Sequence, residues 1–87
     1  MEMRWNQMTE NKFKLMIEKI PVFVRGMAHD KVSRKAEQLA HKENRPEVIE
    51  KDMVDAFFAE TPFGFHGPMK TDMEDLGIDY KQFGYER

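Results

Sequence analysis

Cysteine is absent from this chain of 87 residues. The absence excludes disulfides, thiolate catalysis, iron–sulfur clusters and cysteine-ligated zinc. Because small secreted domains usually depend on disulfides, the composition favours the cytoplasm. The first ten residues lack the basic-then-apolar pattern of a signal peptide. The longest uninterrupted apolar runs are about four residues, whereas a membrane-spanning helix needs about 20. We therefore expect a cytoplasmic protein with no membrane segment.

Side chains suited to catalysis are scarce as well. Ser33 is the only serine, and His29 precedes it by four residues, so that the two are neighbours on a helix. A nucleophile also needs a base that a third group orients inside a cleft, and a helix surface provides neither. We interpret the two side chains as a surface polar pair. The sequence predicts no catalytic residue, and hence a chain that is not an enzyme on its own.

The sequence also offers little that would hold a metal ion or a cofactor. His29 and His41 are twelve residues apart, which is about 18 Å along one helix and too far to share a metal. The acidic cluster from Asp72 to Asp79 lacks the ligand order of a calcium loop. The glycines follow no phosphate-loop pattern. We predict neither a metal nor a cofactor.

Charge is unevenly distributed along the chain. Residues 22–46 carry six bases against three acids, whereas residues 47–87 carry four bases against ten acids. One interpretation is a pair of solvated faces; the other is a basic helix offered to an acidic partner. The second interpretation makes Lys31, Arg34 and Lys35 candidate partner- or anion-binding residues. The net charge of −2 disfavours strong binding to nucleic acid.

Hydrophobic periodicity predicts an all-α fold with three core helices, over residues 9–19, 22–42 and 51–60. Thr9 is the expected N-cap of the first helix, and Pro21 both ends it and opens the second. Small and apolar residues share one arc of the second helix: Ala28, Val32, Ala36, Leu39 and Ala40. Small residues let another helix approach closely, so we expect this helix at the centre of the core.

We expect a helical domain over residues 1–60, followed by a C-terminal extension over residues 61–87 that packs partly on it. The third core helix, for which we expect a cap at Glu50, ends at the boundary between the two. A capping box at Thr71 predicts one or two helical turns over residues 71–76.

Five of the ten aromatic residues lie in this extension. Because five exposed rings would favour aggregation, we expect Phe63 and Phe65 to pack on the core. Phe83 and Tyr85, near the chain end, are expected to be loose or to await a partner.

Arg25 falls within the apolar arc of the second helix. A buried charge needs a partner. One interpretation is structural: the Arg25 side chain extends its charged end to solvent, or it contacts a carboxylate such as that of Asp52 or Asp55. The other interpretation is contact with an anion or a partner protein.

Trp5 and the run from Lys19 to Arg25 resemble the opening of a known module, and residues 35–40 and 48–56 resemble two of its helices. This module is the small C-terminal domain that ends the B subunit of light-independent protochlorophyllide reductase. The likeness covers about two-thirds of the chain. It rests most on the following motif: Trp5, Pro21, Phe23, Val24 and Arg25.

The resemblance implies a noncatalytic accessory that packs against a reductase subunit. In that family the reductive chemistry belongs to large domains with an iron–sulfur cluster, which this cysteine-free chain cannot hold. Residues 32–56 also resemble the second half of a histone fold, since a long helix, a short loop and a short helix follow one another. The alternative function is therefore a dimerising module with weak nucleic-acid contact. The oligomeric state is left open.

Overall fold

The computed structural model describes residues 3–85, in which four α-helices carry almost all of the regular structure. The all-α prediction is confirmed, and the only strands among these residues are two of two residues each. The elements follow in the order β1 (Arg4–Trp5), α1 (Gln7–Glu18), α2 (Val22–Lys42), β2 (Glu47–Val48), α3 (Glu50–Glu60) and α4 (His66–Asp75).

The two strands pair in parallel and bring the start of the chain to the start of α3. Arg4 pairs with Glu47 and Trp5 with Val48. The amide of Asn6 then donates to the carbonyl of Val48 over 2.9 Å. This short ladder fixes the entry to α1 beside the entry to α3.

The first helix begins two residues before the predicted start. The side chain of Asn6 accepts a hydrogen bond from the amide of Thr9 at 3.1 Å and thereby caps the helix. Thr9 lies inside the helix and is buried. The prediction of Thr9 as N-cap was wrong because asparagine and threonine are both good caps, and Asn6 is the one that leads from the strand.

The second helix has the predicted bounds and forms the centre of the molecule. Pro21 is its N-cap rather than its first residue. Val32, Ala36 and Ala40 are buried on one face, against which α3 packs most extensively. The small side chains let the two helices approach closely, as expected.

The third helix is capped by an aspartate. Asp52 accepts from the amide of Ile49 at 3.0 Å, so that Ile49 and not Glu50 is the N-cap. Asp52 is 1% exposed and pairs with Arg45. Behind this cap, Met53, Val54, Ala56, Phe57 and Phe58 enter the core.

The fourth helix is longer than predicted and begins earlier. It follows a 3-10 turn over Phe63–Phe65, and Thr71 lies inside it, donating to the carbonyl of Gly67 over 3.3 Å. Pro68 is tolerated because it lies in the first turn, where the amides have no intrahelical acceptor. The helix ends before Gly77, whose φ of 73° is the left-handed conformation that glycine adopts readily.

Part of the C-terminal extension packs on the core, but the aromatic residues have the opposite roles from those predicted. Phe63 and Phe65 are 87% and 64% exposed. Tyr85 instead stacks on Phe58 with ring centroids 4.0 Å apart, and Phe83 is partly buried against the core. Among residues 61–85, the buried positions are Met69, Met73, Ile78 and Tyr80.

Across residues 3–85, no helix combines the length and the apolar character that crossing a membrane would require.

Candidate docking surface

Arg25 joins the end of α1 to the start of α2. Its Nε donates to the carbonyl of Ile20 and its Nη2 to the carbonyl of Glu18, both over 2.7 Å. The last carbonyls of a helix have no intrahelical donor, and a cation there also suits the helix dipole. The predicted structural partners, Asp52 and Asp55, were wrong. Asp52 pairs with Arg45, and Asp55 accepts from Lys51 and Tyr85.

Trp5 also makes a contact within the chain. Its indole Nε1 donates to a carboxylate oxygen of Glu37 over 2.9 Å, and its ring lies 4.9 Å from that of Phe13. The side chain is half-buried. Trp5 therefore holds β1 against both α1 and α2.

Phe23 differs from these motif residues because it has almost no contact with the rest of the chain. Its side chain is 88% exposed, next to Val22 at 73% and one turn before Met27 at 58%. Val24, the remaining residue of the motif, is half-buried. Phe23 and Met27, one turn apart, form an apolar cluster on the first two turns of α2, and Val22 is exposed beside Phe23.

This cluster continues into a polar row on the same helix face. At 100° per residue, six exposed side chains fall within one arc opposite the core face. We call this row the outward stripe of α2; its members are Phe23, Met27, Lys31, Arg34, Gln38 and His41. Lys35 is half-buried and flanks it.

The candidate cations of α2 have no acidic partner among the described residues. Lys31, Arg34 and Lys35 form no ion pair there, whereas Lys12 lies 2.9 Å from Glu50. The acids of α2 itself are engaged elsewhere. Asp30 lies 3.5 Å from His29 Nδ1, and Glu37 accepts from Trp5. The cations of the stripe therefore face solvent without a direct ion pair to any residue that the structure describes.

His29 and Ser33 do not form a nucleophile and base pair. Ser33 Oγ donates to the carbonyl of Asp30 over 3.2 Å, and the His29 ring lies 5.1 Å from the ring of Phe13. Within residues 3–85, no group of three or more histidine, aspartate or glutamate side chains is placed to hold a metal ion.

Two polar contacts that the sequence did not predict fix the surroundings of α3. One is the buried Arg45–Asp52 pair. The other is Tyr85, whose hydroxyl donates to Asp55 over 2.6 Å. Burial, followed by this hydrogen bond, raises the pKa of Tyr85 to about 12. A hydrogen bond to the same carboxylate raises the pKa of Lys51.

The exposed apolar cluster could have been found from the sequence. Phe23 and Met27 are four residues apart and project opposite the arc of Ala28 to Ala40. No protein-family model, curated protein or solved structure matches the chain, so the role of this surface is inferred from its geometry alone.

Proposed function

We propose that this protein is a noncatalytic accessory module of the cytoplasm, which binds a partner protein through the outward stripe of α2. The exposure of Phe23 is the observation that carries the proposal. A large aromatic side chain in water contributes little to folding, and it is the type of residue that dominates protein–protein interfaces. Val22 and Met27 widen the apolar area around it.

The contacts of the other motif residues support this interpretation. Pro21 caps α2, and Arg25 joins the two helices on either side of it. These residues fix the backbone from which Phe23 projects. A short segment that is rigid on one side and apolar on the other is suited to docking.

A reductase subunit is the partner class that we propose. The support is the resemblance of the Pro21–Arg25 segment to the module of protochlorophyllide reductase. Under this proposal the partner carries the redox chemistry, and this chain contributes binding surface.

Photo-cross-linking in the cells that make the protein tests this proposal. A benzophenone amino acid replaces Phe23 in the full-length chain, and the matched control carries it at Met8, which is 67% exposed on α1. We expect a specific protein adduct from position 23 and none from position 8. Absence of an adduct at position 23, or equal adducts from both positions, would contradict the proposal.

The second candidate function is the histone-fold-like dimerising module with weak nucleic-acid contact. The uncompensated cations Lys31, Arg34 and Lys35 are the observation that favours it. Retention on DNA that falls steeply with salt and is lost on reversing these charges would support it. An adduct of twice the chain mass in the cross-linking experiment would support dimerisation.

A further inference from the structure

The outward stripe has the spacing of a helix-packing seam. Its members follow one another at intervals of four, four, three, four and three residues. Alternation of three and four residues is the spacing by which one helix presents a continuous row to another. From Phe23 to His41 the row spans about 27 Å at the usual helical rise.

The chemistry of the seam changes along its length. Its first two members, Phe23 and Met27, are apolar, and the next turns bring the cations Lys31 and Arg34. From these observations we infer that the partner surface is an acidic amphipathic helix that lies along α2. This inference rests on the proposed function and adds the chemical class of the partner.

Such a helix would make two kinds of contact at once. Its apolar side chains would cover Phe23 and Met27, which removes their exposed surface from water. Its carboxylates would lie about two to three turns away, opposite Lys31 and Arg34. The apolar contact supplies affinity, and the charge pairing fixes the register and excludes basic partners.

A second copy of the chain is a poorer occupant of the same seam. The stripe has no acidic member, so two stripes packed against each other would bring lysine and arginine side chains of one copy near those of the other. Like charges placed across an interface oppose association. The seam therefore selects a surface of opposite charge.

The test uses synthetic helical peptides and the isotope-labelled full-length chain. Each peptide carries leucines four residues apart at one end and glutamates at the other, in both directions along the helix. Matched peptides carry lysine in place of every glutamate. Binding is followed by the shifts of backbone amide signals during titration.

We expect an acidic peptide to shift amides of residues 22–42 and the lysine peptides to bind at least about tenfold more weakly. The double variant Lys31→Glu/Arg34→Glu should reverse this preference, whereas the control Lys14→Glu/Lys81→Glu, with the same change of net charge, should keep it. Phe23→Ala should weaken the binding of both peptide types.

The inference is overturned if no peptide shifts the amides of α2, or if acidic and basic peptides bind equally well. Specific cross-linking at position 23 together with equal peptide binding would retain the docking function and reject the acidic helix. Failure of the cross-linking together with acidic-peptide selectivity would retain the selectivity of the seam and reject its use as a docking site in the cell.

Discussion

Asp52 is the one charged side chain among residues 3–85 that is almost completely buried. It accepts from the amide of Ile49 and pairs with Arg45, so that one carboxylate closes the start of α3 and holds the loop before it. The Nε of Arg45 is buried without a hydrogen-bond partner in the same region. Removing the carboxylate would leave this guanidinium with only the exposed Glu43, which lies 2.9 Å from its Nη1.

The Asp52→Ala substitution should therefore lower the free energy of unfolding by about 3–5 kcal/mol, since it breaks a buried pair and removes a helix cap. Asp79→Ala is the matched control because Asp79 is exposed and its side chain makes no capping hydrogen bond. Chemical denaturation of both variants gives the comparison. Equal stability of the two would show that the Asp52 pair does not hold α3.

Tyr85 gives the protein a pH dependence at alkaline pH. Its pKa is about 12 in the folded chain, against about 10 in an unfolded chain. A raised pKa means that the folded state retains the proton, so its contribution to stability is complete below about pH 10 and is lost as the pH rises through about 12. The phenolate would also face the carboxylate of Asp55.

We expect Tyr85→Phe to be less stable than the wild type at pH 8, by about 0.5–1.5 kcal/mol for the lost hydrogen bond. The difference between the two proteins should shrink between pH 10 and 12, as measured by denaturant unfolding at each pH. The variant retains every other titrating group, including the lysines, so the difference between the two proteins isolates the effect of Tyr85. A difference that does not change with pH would contradict the assigned contact.

At the scale of helices, Arg25 is the side chain that couples α1 to α2. Its guanidinium donates to the carbonyl of Glu18, the last residue of α1, and to that of Ile20 just after it. A hydrogen bond with a charged donor contributes about 1.5–3 kcal/mol, and the total here is smaller than two such bonds because Arg25 is only half-buried and water competes for the same groups. We expect Arg25→Ala to lower the free energy of unfolding by about 1–3 kcal/mol, while Arg34→Ala, on the exposed face, changes it by less than about 0.5 kcal/mol. If the two substitutions changed the free energy of unfolding equally, Arg25 would have no specific structural role.

The fourth helix contributes methionines to the core, while the turn before it exposes phenylalanines. Met73→Ala should cost about 2–5 kcal/mol of unfolding free energy, because the side chain is fully buried. Phe63→Ala should change it by less than about 0.5 kcal/mol. Thermal or chemical unfolding measures both variants. A larger loss of stability for Phe63→Ala than for Met73→Ala would contradict the packing described for this segment.

The sequence predicted α2 to the residue because the alanine arc, the preceding proline and the following Asn44 and Pro46 agree on its limits. It failed where two residues compete for one role. Asn6 and Thr9 are both good caps, and only the pairing of β1 with β2 places Asn6 at the helix start. Long-range contacts of this kind are not visible in local spacing.

The burial pattern of the extension could not be predicted for a similar reason, because it depends on how the segment packs on the rest of the chain. Phenylalanine is more apolar than methionine in general, but the 3-10 turn directs Phe63 and Phe65 outwards while α4 lays Met69 and Met73 on the core. Of the candidate site, the unpaired basic side chains of α2 followed from the charge distribution. The exposure of Phe23 could have been predicted in the same way, because helical spacing places it opposite the arc of Ala28 to Ala40.

For the whole molecule, the distribution of surface chemistry separates folding from binding. The core is formed by one face of α2 with α1, α3 and α4, whereas the opposite face of α2 carries an apolar cluster followed by uncompensated cations. Substitutions on the first face should unfold the chain. Substitutions on the second should leave it folded and reduce its association with the partner.

The most direct measurement is the amount of partner protein that co-purifies with the full-length chain from its native cells, compared between wild type and Phe23→Ser. Docking through the outward stripe predicts a loss of about tenfold or more, which is the effect of removing a central interface residue that contributes about 2 kcal/mol. The matched variant Met8→Ser, at an exposed site on α1, should recover the partner in full. Undiminished recovery with Phe23→Ser would contradict docking through the outward stripe.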